Sequence, residues 1–276
     1  MKTLKAKTAV VTGGGNGIGR SMALALADAG ANVVIADIRV ASAEATAAEA
    51  RRRRVRALAV ATDVTSRESV ENLADRAYRE FGAVDVLCNN AGVNWRPFRA
   101  IHAASLEDWR FIFNINLFGV VHGLDAFLPR MRQQAGEKHI VNTASLVAMV
   151  PLAGIAAYCA SKAAVASLSE TLAKELAPFG FGVTIVCPGV VKTEFGGNSE
   201  ALRPENERGS SRVFAPIQDP LQATLNQGAI EPDDVGRMVC NAILDGTLYL
   251  HTHGFPDGLA QSRMDILFGP HTLGRV

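Results

Sequence analysis

The sequence predicts an α/β fold, with a doubly wound parallel sheet and helices on both faces. Short apolar runs alternate with helical patterns along the chain, and parallel strands need such crossover helices. Several of the runs are apolar throughout, for example residues 182–187, as burial on both faces of a sheet requires. No linker, low-complexity stretch or solenoid-length repeat interrupts the alternation, so we expect residues 1–276 to form a single domain.

The alternation defines seven strands and six principal helices. The predicted strands span residues 7–12, 32–37, 55–61, 84–89, 138–143, 181–187 and 247–252. The predicted helices span residues 17–29, 41–54, 66–80, 105–132, 155–177 and 232–245. The seven strands are expected to form one sheet. Polar or glycine residues follow the carboxyl ends of these strands, where active sites of such sheets lie.

The first strand, turn and helix predict a nucleotide site. The strand at 7–12 runs into a glycine-rich loop at 13–19, and an apolar helical pattern follows. Glycines allow the backbone to approach a pyrophosphate closely, and the helix N-terminus supplies free N–H groups. The order strand, glycine loop and helix therefore predicts a Rossmann fold that binds a dinucleotide through Gly13, Gly15, Asn16, Gly17, Ile18 and Gly19.

The second strand ends at Asp37, which predicts the choice of cofactor. A carboxylate there can accept hydrogen bonds from both hydroxyls of an adenosine ribose, and its charge repels a 2′-phosphate. NAD is therefore expected over NADP. Arg39, two residues further on, leaves some room for a 2′-phosphate.

Tyr158 and Lys162 are a candidate acid/base pair. Their spacing of four places them on one face of a helix, one turn apart. A cation about 4 Å from the phenol, at an effective dielectric of about 20, stabilises the phenolate by roughly 4 kcal/mol. The pair therefore predicts a pKa for Tyr158 of around 7, which suits proton transfer near neutral pH. Taken alone, the pair also fits a packed tyrosine beside a solvated lysine.

The ordered motifs resemble those of the short-chain dehydrogenase/reductase family. They are Thr12-Gly13-x3-Gly17-x-Gly19, Asn89-Asn90-Ala91-Gly92, Asn116, Ser145, Tyr158-x3-Lys162 and Pro188-Gly189-x3-Thr193. The resemblance implies a catalytic tetrad of Asn116, Ser145, Tyr158 and Lys162. It also implies a cofactor site that includes Asp63, Val64, Asn90, Ala91, Gly92, Tyr158, Lys162, Pro188, Gly189, Val191 and Thr193.

The same resemblance implies hydride transfer between NAD and a secondary alcohol or ketone. In it, Tyr158 exchanges the hydroxyl proton, Ser145 binds the substrate oxygen, and Lys162 binds the nicotinamide ribose. Asn116 would anchor a water that connects Lys162 to solvent. The family commonly assembles as oligomers, so we expect a homodimer or homotetramer.

Residues 194–230 break the alternation and are rich in glycine and proline. A segment of this length directly after the nicotinamide motif is expected to be a substrate lid with short helices. Apolar residues beside the catalytic motifs predict a hydrophobic pocket, formed by Trp95, Phe98, Val147, Met149, Val150 and Phe195. With a helix-like tail at 259–268, these features resemble relatives that oxidise bulky or aromatic secondary alcohols.

Composition excludes several other classes of function. The net charge of +1 gives no sign of a nucleic acid or anionic membrane as partner. Neither a signal peptide nor an apolar run of transmembrane length is recognised. The four cysteines lack disulfide or zinc spacing, and His251 and His253 lack acidic or cysteine partners, so no metal site is expected. We expect a cytoplasmic protein with reduced thiols.

Two alternatives remain open. One is an NADPH-dependent 3-ketoacyl reductase or other carbonyl reductase, against which Asp37 argues. The absence of a basic residue at Gly14 or Gly15 argues against it as well. The other is a catalytically idle module that senses nucleotides on the same fold, against which the complete tetrad argues.

Overall fold

The computed structural model describes residues 1–94, 100–203 and 228–254, together with 263–265, 267 and 269. Seven parallel strands form one sheet, as the sequence predicts, and their order in the sheet is β3-β2-β1-β4-β5-β6-β7. The strands are β1 (Thr8–Thr12), β2 (Asn32–Asp37), β3 (Ala57–Ala61), β4 (Val86–Asn89), β5 (Lys138–Thr143), β6 (Phe181–Cys187) and β7 (Tyr249–His251).

Helices cover both faces of the sheet. They are α1 (Gly17–Asp28), α2 (Val40–Arg51), α3 (Arg67–Phe81), α4 (Leu106–Phe113), α5 (Gly119–Gln133), α6 (Ala156–Leu176), α7 (Phe195–Ala201) and α8 (Pro232–Asp245). Short 3-10 turns occur at Ile101–Ala103, Leu146–Ala148 and Ala177–Phe179.

Adjacent residues of β1 show why the sheet is buried on both sides. Val10 packs in the core under α3, α5 and α6, whereas Val11 packs in the core under α1, α2 and α8. Successive side chains of a strand point to opposite faces, so both must be apolar. The strand order also reverses at β1, which pairs with β2 on one side and β4 on the other. This reversal leaves a crevice at the carboxyl ends, where ligands of such sheets bind.

The predicted boundaries differ from the observed ones mainly at strand starts. Strands predicted from residues 55 and 84 begin at Ala57 and Val86, and the last strand is only Tyr249–His251. The apolar residues before these points lie in the connections, where apolarity also serves packing. The helix predicted over 41–54 ends at Arg51, and Arg54 has a positive φ of 62°.

The long helix predicted over 105–132 is interrupted in its middle. A π-helical turn, Asn114–Phe118, separates α4 from α5. Hydropathy periodicity cannot distinguish this turn from α-helix, because the two differ by a single residue per turn. Such turns occur frequently at functional sites, and this one contains Asn116.

The combined stretch Leu106–Gln133 also bears on the expectation that no apolar run reaches transmembrane length. Among the described residues it is long and apolar enough to cross a membrane, with a mean hydropathy of 1.5 in its most apolar window. A single such helix is weak evidence for a membrane span, because core helices of soluble proteins pass the same test. Here 33% of the apolar window is buried, and Phe127 and Met131 are fully buried.

The expected lid is described at its two ends. It begins with α7, a short helix as predicted, and residues 204–227 lie outside the described part. The two ends meet beside β6: Lys192 N–H donates to Ile230 O at 3.0 Å, and Ile230 N–H donates to Val190 O at 3.2 Å. Most of the predicted tail helix at 259–268 also lies outside the described residues.

Candidate active site

A cavity of about 1110 Å³ opens at the carboxyl edge of the sheet. Its wall contains nearly all of the site residues that the sequence predicts. These are Gly13, Asn16, Gly17, Ile18, Gly19, Asp37, Asp63, Val64, Asn90, Ala91, Gly92, Ser145, Tyr158, Lys162, Pro188, Gly189, Val191 and Thr193. Asn116 and Gly15 are the exceptions.

The glycine loop has the geometry of a phosphate cradle. Gly13 and Gly17 have φ angles of +63° and +51°, which residues with side chains rarely adopt. A Cβ at Gly19 would lie only 2.1 Å from Gly13 O, so the helix and the loop approach too closely for any other residue. The Asn16 side chain does not cap α1, which leaves the first N–H groups of the helix to an anion. The loop therefore fits a pyrophosphate.

Gly15 is predicted to bind the cofactor, and in the structure it contacts Asp37. It does not line the cavity; its N–H donates to Asp37 Oδ2 at 3.0 Å. Arg39 N–H donates to the other oxygen, Oδ1, also at 3.0 Å. These bonds hold the buried carboxylate of Asp37 at the cavity wall, and each oxygen keeps acceptor capacity for a ribose hydroxyl.

The Asn90 loop is tied to the glycine loop through Thr12. The Thr12 hydroxyl accepts hydrogen bonds from the N–H groups of Asn90 and Ala91 at 3.0 and 3.1 Å. The Asn90 side chain donates to Thr12 O at 3.0 Å. These bonds join the ends of the neighbouring strands β1 and β4 beneath the position expected for the adenosine.

Tyr158 does not have the pKa that the sequence predicts. Burial raises its pKa to about 12, although hydrogen bonding with the Ser145 side chain acts in the opposite direction. The prediction of a value near 7 assumed a lysine ammonium about 4 Å from the phenol. Lys162 Nζ lies 5.8 Å from the centre of the Tyr158 ring, and its hydrogen bond goes to Thr143 O at 2.7 Å. Desolvation of the phenolate is the largest influence on this pKa, and the attraction assumed for the lysine does not offset it.

Lys162 is itself almost fully buried, with 2% of its surface exposed. Burial lowers the pKa of its ammonium to about 8. Its hydrogen bond to the carbonyl at the end of β5 fixes the amine in the cavity wall. The lysine is therefore held between Tyr158 and the strand ends.

Asn116 lies behind the cavity wall and has no exposed surface. Its Oδ1 accepts from Val93 N–H at 2.8 Å, and its Nδ2 donates to Val93 O at 3.0 Å and to Ser161 Oγ at 3.1 Å. The π-helical turn brings this amide to the Gly92 loop, where a Cβ at Gly92 would approach both Asn116 Oδ1 and Lys162 Nζ. Asn116 therefore joins the loop to α6 without reaching the cavity.

Ser145 follows β5 and is buried in the wall beside Tyr158. Its hydroxyl donates to Pro188 O and accepts from Val147 N–H, both at 3.4 Å. The latter bond caps the Leu146–Ala148 turn. These long bonds leave the hydroxyl able to bind a substrate oxygen next to Tyr158.

The apolar wall near Tyr158 agrees in part with the predicted pocket. Val147 and Phe195 line it, with the Phe195 ring 6.4 Å from the Tyr158 ring. Met149 and Val150 do not line it, because Met149 packs into the core under α6. Trp95 and Phe98 lie outside the described residues. The prediction missed the wall residues Leu152, Ile155, Leu202, Phe111 and Ile115.

Ile155 could have been found from its position, because it precedes Tyr158 by three residues at the start of the predicted helix. In the structure it is the residue just before α6, and it packs against Tyr158. Leu202 gave no such signal, since it follows Tyr158 by many residues and reaches the cavity only through α7.

The four cysteines and the histidines His251 and His253, considered above as possible metal ligands, make structural contacts. All four cysteines are buried and free. His251 stacks on Tyr249 at 5.8 Å, and His253 bonds with Gly228 O at 2.9 Å. The described residues contain no group of three or more histidine, cysteine or acidic side chains that could hold a metal ion.

Comparisons with known proteins agree with this geometry. A family described as short chain dehydrogenase matches residues 7–203. A short-chain dehydrogenase/reductase from Burkholderia phymatum, solved in complex with NAD, is 34% identical with a TM-score of 0.86, covering 97% of this chain and 96% of that one. A 3-ketoacyl-(acyl-carrier-protein) reductase from Brucella melitensis, solved with NADH, is 27% identical with a TM-score of 0.76, covering 94% and 100%.

Among curated proteins, 1-deoxy-11-beta-hydroxypentalenate dehydrogenase of Streptomyces exfoliatus is 40% identical over 135 residues, which is 49% of each chain. The chain spans about half the length of the first curated relatives it matches. The family match covers well over half of the sequence. The protein therefore belongs to the short-chain dehydrogenase family.

Proposed function

We propose that the protein transfers a hydride between NAD and a secondary alcohol or ketone, and that its substrate is hydrophobic or aromatic. The observation that carries this proposal is the single cavity that joins Asp37 and the glycine loop to Ser145, Tyr158 and Lys162. One end suits an adenosine ribose, and the other places a buried phenol beside a hydroxyl and an amine.

Each of the four tetrad residues has a separate role in the proposed reaction. A bound NAD would supply the hydride acceptor, and NADH the donor. In oxidation, Tyr158 takes the proton of the substrate hydroxyl; in reduction, its phenol returns that proton to the carbonyl oxygen. Ser145 holds the same oxygen by a hydrogen bond. Lys162 would bind the nicotinamide ribose and favour the phenolate, and Asn116 fixes the loop and helix around them.

The apolar wall supports a hydrophobic substrate. Leu152, Ile155 and Phe195 flank Tyr158, so an alcohol whose hydroxyl reaches Ser145 would contact mainly hydrocarbon. The curated relative from Streptomyces is named as a dehydrogenase of a hydroxylated pentalenate, which is in keeping with a bulky alcohol. The preferred substrate among such alcohols can be identified by measuring kcat/KM for each of them.

The first test is NADH formation with a panel of secondary alcohols of increasing size. We expect aryl alcohols to be oxidised with a higher kcat/KM than short aliphatic ones.

Phe195→Ala should raise KM for the aryl alcohols several-fold and leave the KM for NAD little changed, because the ring packs at the substrate end. Phe179→Ala, a substitution of an exposed phenylalanine outside the cavity, is the matched control. The proposed substrate class would be contradicted if short aliphatic alcohols had the higher kcat/KM and Phe195→Ala left the KM values for the alcohols unchanged.

Asp37 is expected to select NAD over NADP. A buried carboxylate facing a phosphate dianion is costly unless a cation pairs with it. Asp37→Ala should therefore narrow the difference between the two cofactors in kcat/KM, mainly by improving NADP use. A wild-type preference for NADP, measured with the same alcohol, would show that the role assigned to Asp37 is wrong.

The raised pKa of Tyr158 leads to a pH prediction. Oxidation needs the phenolate, and below the pKa the phenolate fraction rises about tenfold per pH unit. Because burial raises the pKa of Tyr158 to about 12, kcat/KM for alcohol oxidation should climb steadily from about pH 6 to 8. Reduction needs the phenol, which is fully present over this range, so its rate constant should stay flat.

This pH dependence can be measured with one alcohol–ketone pair in both directions. An oxidation profile that levels off near pH 7 would mean that Tyr158 titrates there, as the sequence predicted, and that cofactor binding overcomes the effect of burial. The window stops at pH 8 because burial also lowers the pKa of Lys162 to about 8, and loss of its charge would distort the profile beyond that point.

A 3-ketoacyl reductase is the second candidate, and the structural likeness to the Brucella reductase is the observation that favours it. The alcohol panel and a ketoacyl thioester, each assayed with both cofactors, separate the two activities. An idle nucleotide-sensing module would bind NADH and turn over neither. A single domain, a homodimer or homotetramer and a cytoplasmic location stay predictions.

A further inference from the structure

Arg39 lies at the Asp37 end of the cavity, where the adenosine ribose would bind. It lies two residues beyond the end of β2 and lines the cavity, and its backbone N–H donates to Asp37 Oδ1 at 3.0 Å. A guanidinium beside the ribose is the group that commonly accepts a 2′-phosphate, because its donors match the phosphate oxygens. The position of the Arg39 side chain therefore matters for the choice between NAD and NADP.

The Arg39 side chain is bound to a distant part of the chain. Its Nη1 donates to Asn198 Oδ1 at 2.8 Å, although the two residues are 159 positions apart. Asn198 belongs to α7, the helix that follows the Thr193 motif, and it lines the same cavity. The bond therefore connects the ribose end of the cleft to the start of the expected lid.

The helix that presents Asn198 is held by contacts independent of Arg39. Asn94 N–H donates to Ser199 Oγ at 2.9 Å. Just beyond the helix, Arg203 pairs with Asp108 at 2.8 Å, and only 3% and 4% of these two side chains are exposed. Because buried pairs and backbone contacts hold α7, the Asn198 amide sets the position of the flexible arginine rather than the reverse.

We propose that Asn198 is a cofactor-specificity residue, which holds the Arg39 guanidinium on α7 and so keeps it from a 2′-phosphate. The inference rests on the proposed function to the extent that a nicotinamide dinucleotide must bind. Asp37 repels the 2′-phosphate, and Asn198 removes the cation that would compensate for that repulsion. The two residues thus act in the same direction from opposite sides of the cleft.

The test measures nucleotide affinity and needs no substrate. Dissociation constants for NADH and NADPH are determined by nucleotide fluorescence on the full chain. All variants carry Asp37→Ala, so that NADPH also binds tightly enough to be measured. Adding Asn198→Ala should lower the ratio Kd(NADPH)/Kd(NADH) by about three- to tenfold, the range that one solvent-exposed hydrogen bond of ordinary strength supports. Alanine is a good helix former, so α7 should persist.

Arg39→Ala completes the cycle, and Gly197→Ala is the control on the same helix. In the Arg39→Ala background Asn198→Ala should leave the ratio unchanged, and Gly197→Ala should leave it unchanged throughout. The proposal would be overturned if Asn198→Ala changed Kd(NADPH)/Kd(NADH) by less than twofold. It would also be overturned if Asn198→Ala changed this ratio equally in the presence and absence of the Arg39 side chain. Failure of the wild type to bind either nucleotide would instead overturn the proposed function.

Discussion

Tyr158→Phe is expected to lower kcat by about 10²–10⁴-fold, the usual contribution of a positioned acid/base group. Only the hydroxyl is lost, so the ring still packs against Phe195 and the cavity keeps its shape. Affinity for NADH should change little for the same reason. Steady-state rates with the best alcohol of the panel and NADH titration by fluorescence measure the two quantities separately.

Tyr78→Phe provides a matched control for the loss of a partly buried, hydrogen-bonded tyrosine hydroxyl. Burial raises the pKa of Tyr78 to about 12, as it does for Tyr158. Its hydroxyl, however, donates to Gln134 Oε1 at 2.6 Å, between α3 and the end of α5 and outside the cavity. Its removal should cost about 1 kcal/mol of stability and no activity. Near-normal kcat in Tyr158→Phe would show that the proton is transferred by another group.

Lys162→Ala is expected to damage both binding and rate. The buried ammonium donates to Thr143 O at 2.7 Å and would also hold the nicotinamide ribose. Loss of a hydrogen bond from a charged group should weaken NADH binding by about 10- to 100-fold. Without the cation the phenolate of Tyr158 is less favourable, so kcat should fall as well.

Lys174→Ala on the same helix is the control, because Lys174 is exposed and lies outside the cavity. Thermal unfolding of both variants shows whether the protein still folds. A Lys162→Ala variant that loses rate but keeps full NADH affinity would contradict the binding role. One that loses affinity but keeps kcat would contradict the role in proton transfer.

The contrast between Tyr158→Phe and Lys162→Ala distinguishes the two roles within one helix. Both residues lie on the same face of α6, one turn apart, as their spacing predicts. The tyrosine variant should affect kcat alone, whereas the lysine variant should affect both parameters. This difference is a stronger test than either loss of activity, because a misfolded site would lower all parameters together.

The parts of the site that the sequence could predict are those that local patterns specify. A buried strand, a glycine loop and an apolar helix in direct succession define the phosphate cradle, because φ angles and helix ends depend on neighbouring residues. Asp37 at the end of β2 follows from the same pattern. The parallel sheet follows as well, because continuous apolar runs are stable only when both faces are covered. The observed parallel pairing of all seven strands confirms the predicted sheet.

Other features were decided by packing between distant segments. The π-helical turn at Asn116 is held by hydrogen bonds to the Val93 backbone and to Ser161. The apolar periodicity of the sequence does not predict this turn. Gly15 serves Asp37 rather than the cavity, and the Arg39–Asn198 bond joins residues 159 positions apart. The pocket wall at Leu202 likewise depends on where α7 packs.

The pKa of Tyr158 is the clearest example of a property that the sequence alone could not predict. The order of residues determined that a tyrosine and a lysine would share a helix face, and from that spacing a lowered pKa was expected. The folded protein buries the phenol, and desolvation of the phenolate raises the pKa instead. Sequence determines which groups a segment carries and which face they share. Desolvation and distance, which set how those groups ionise, exist only once the tertiary structure has excluded water around them.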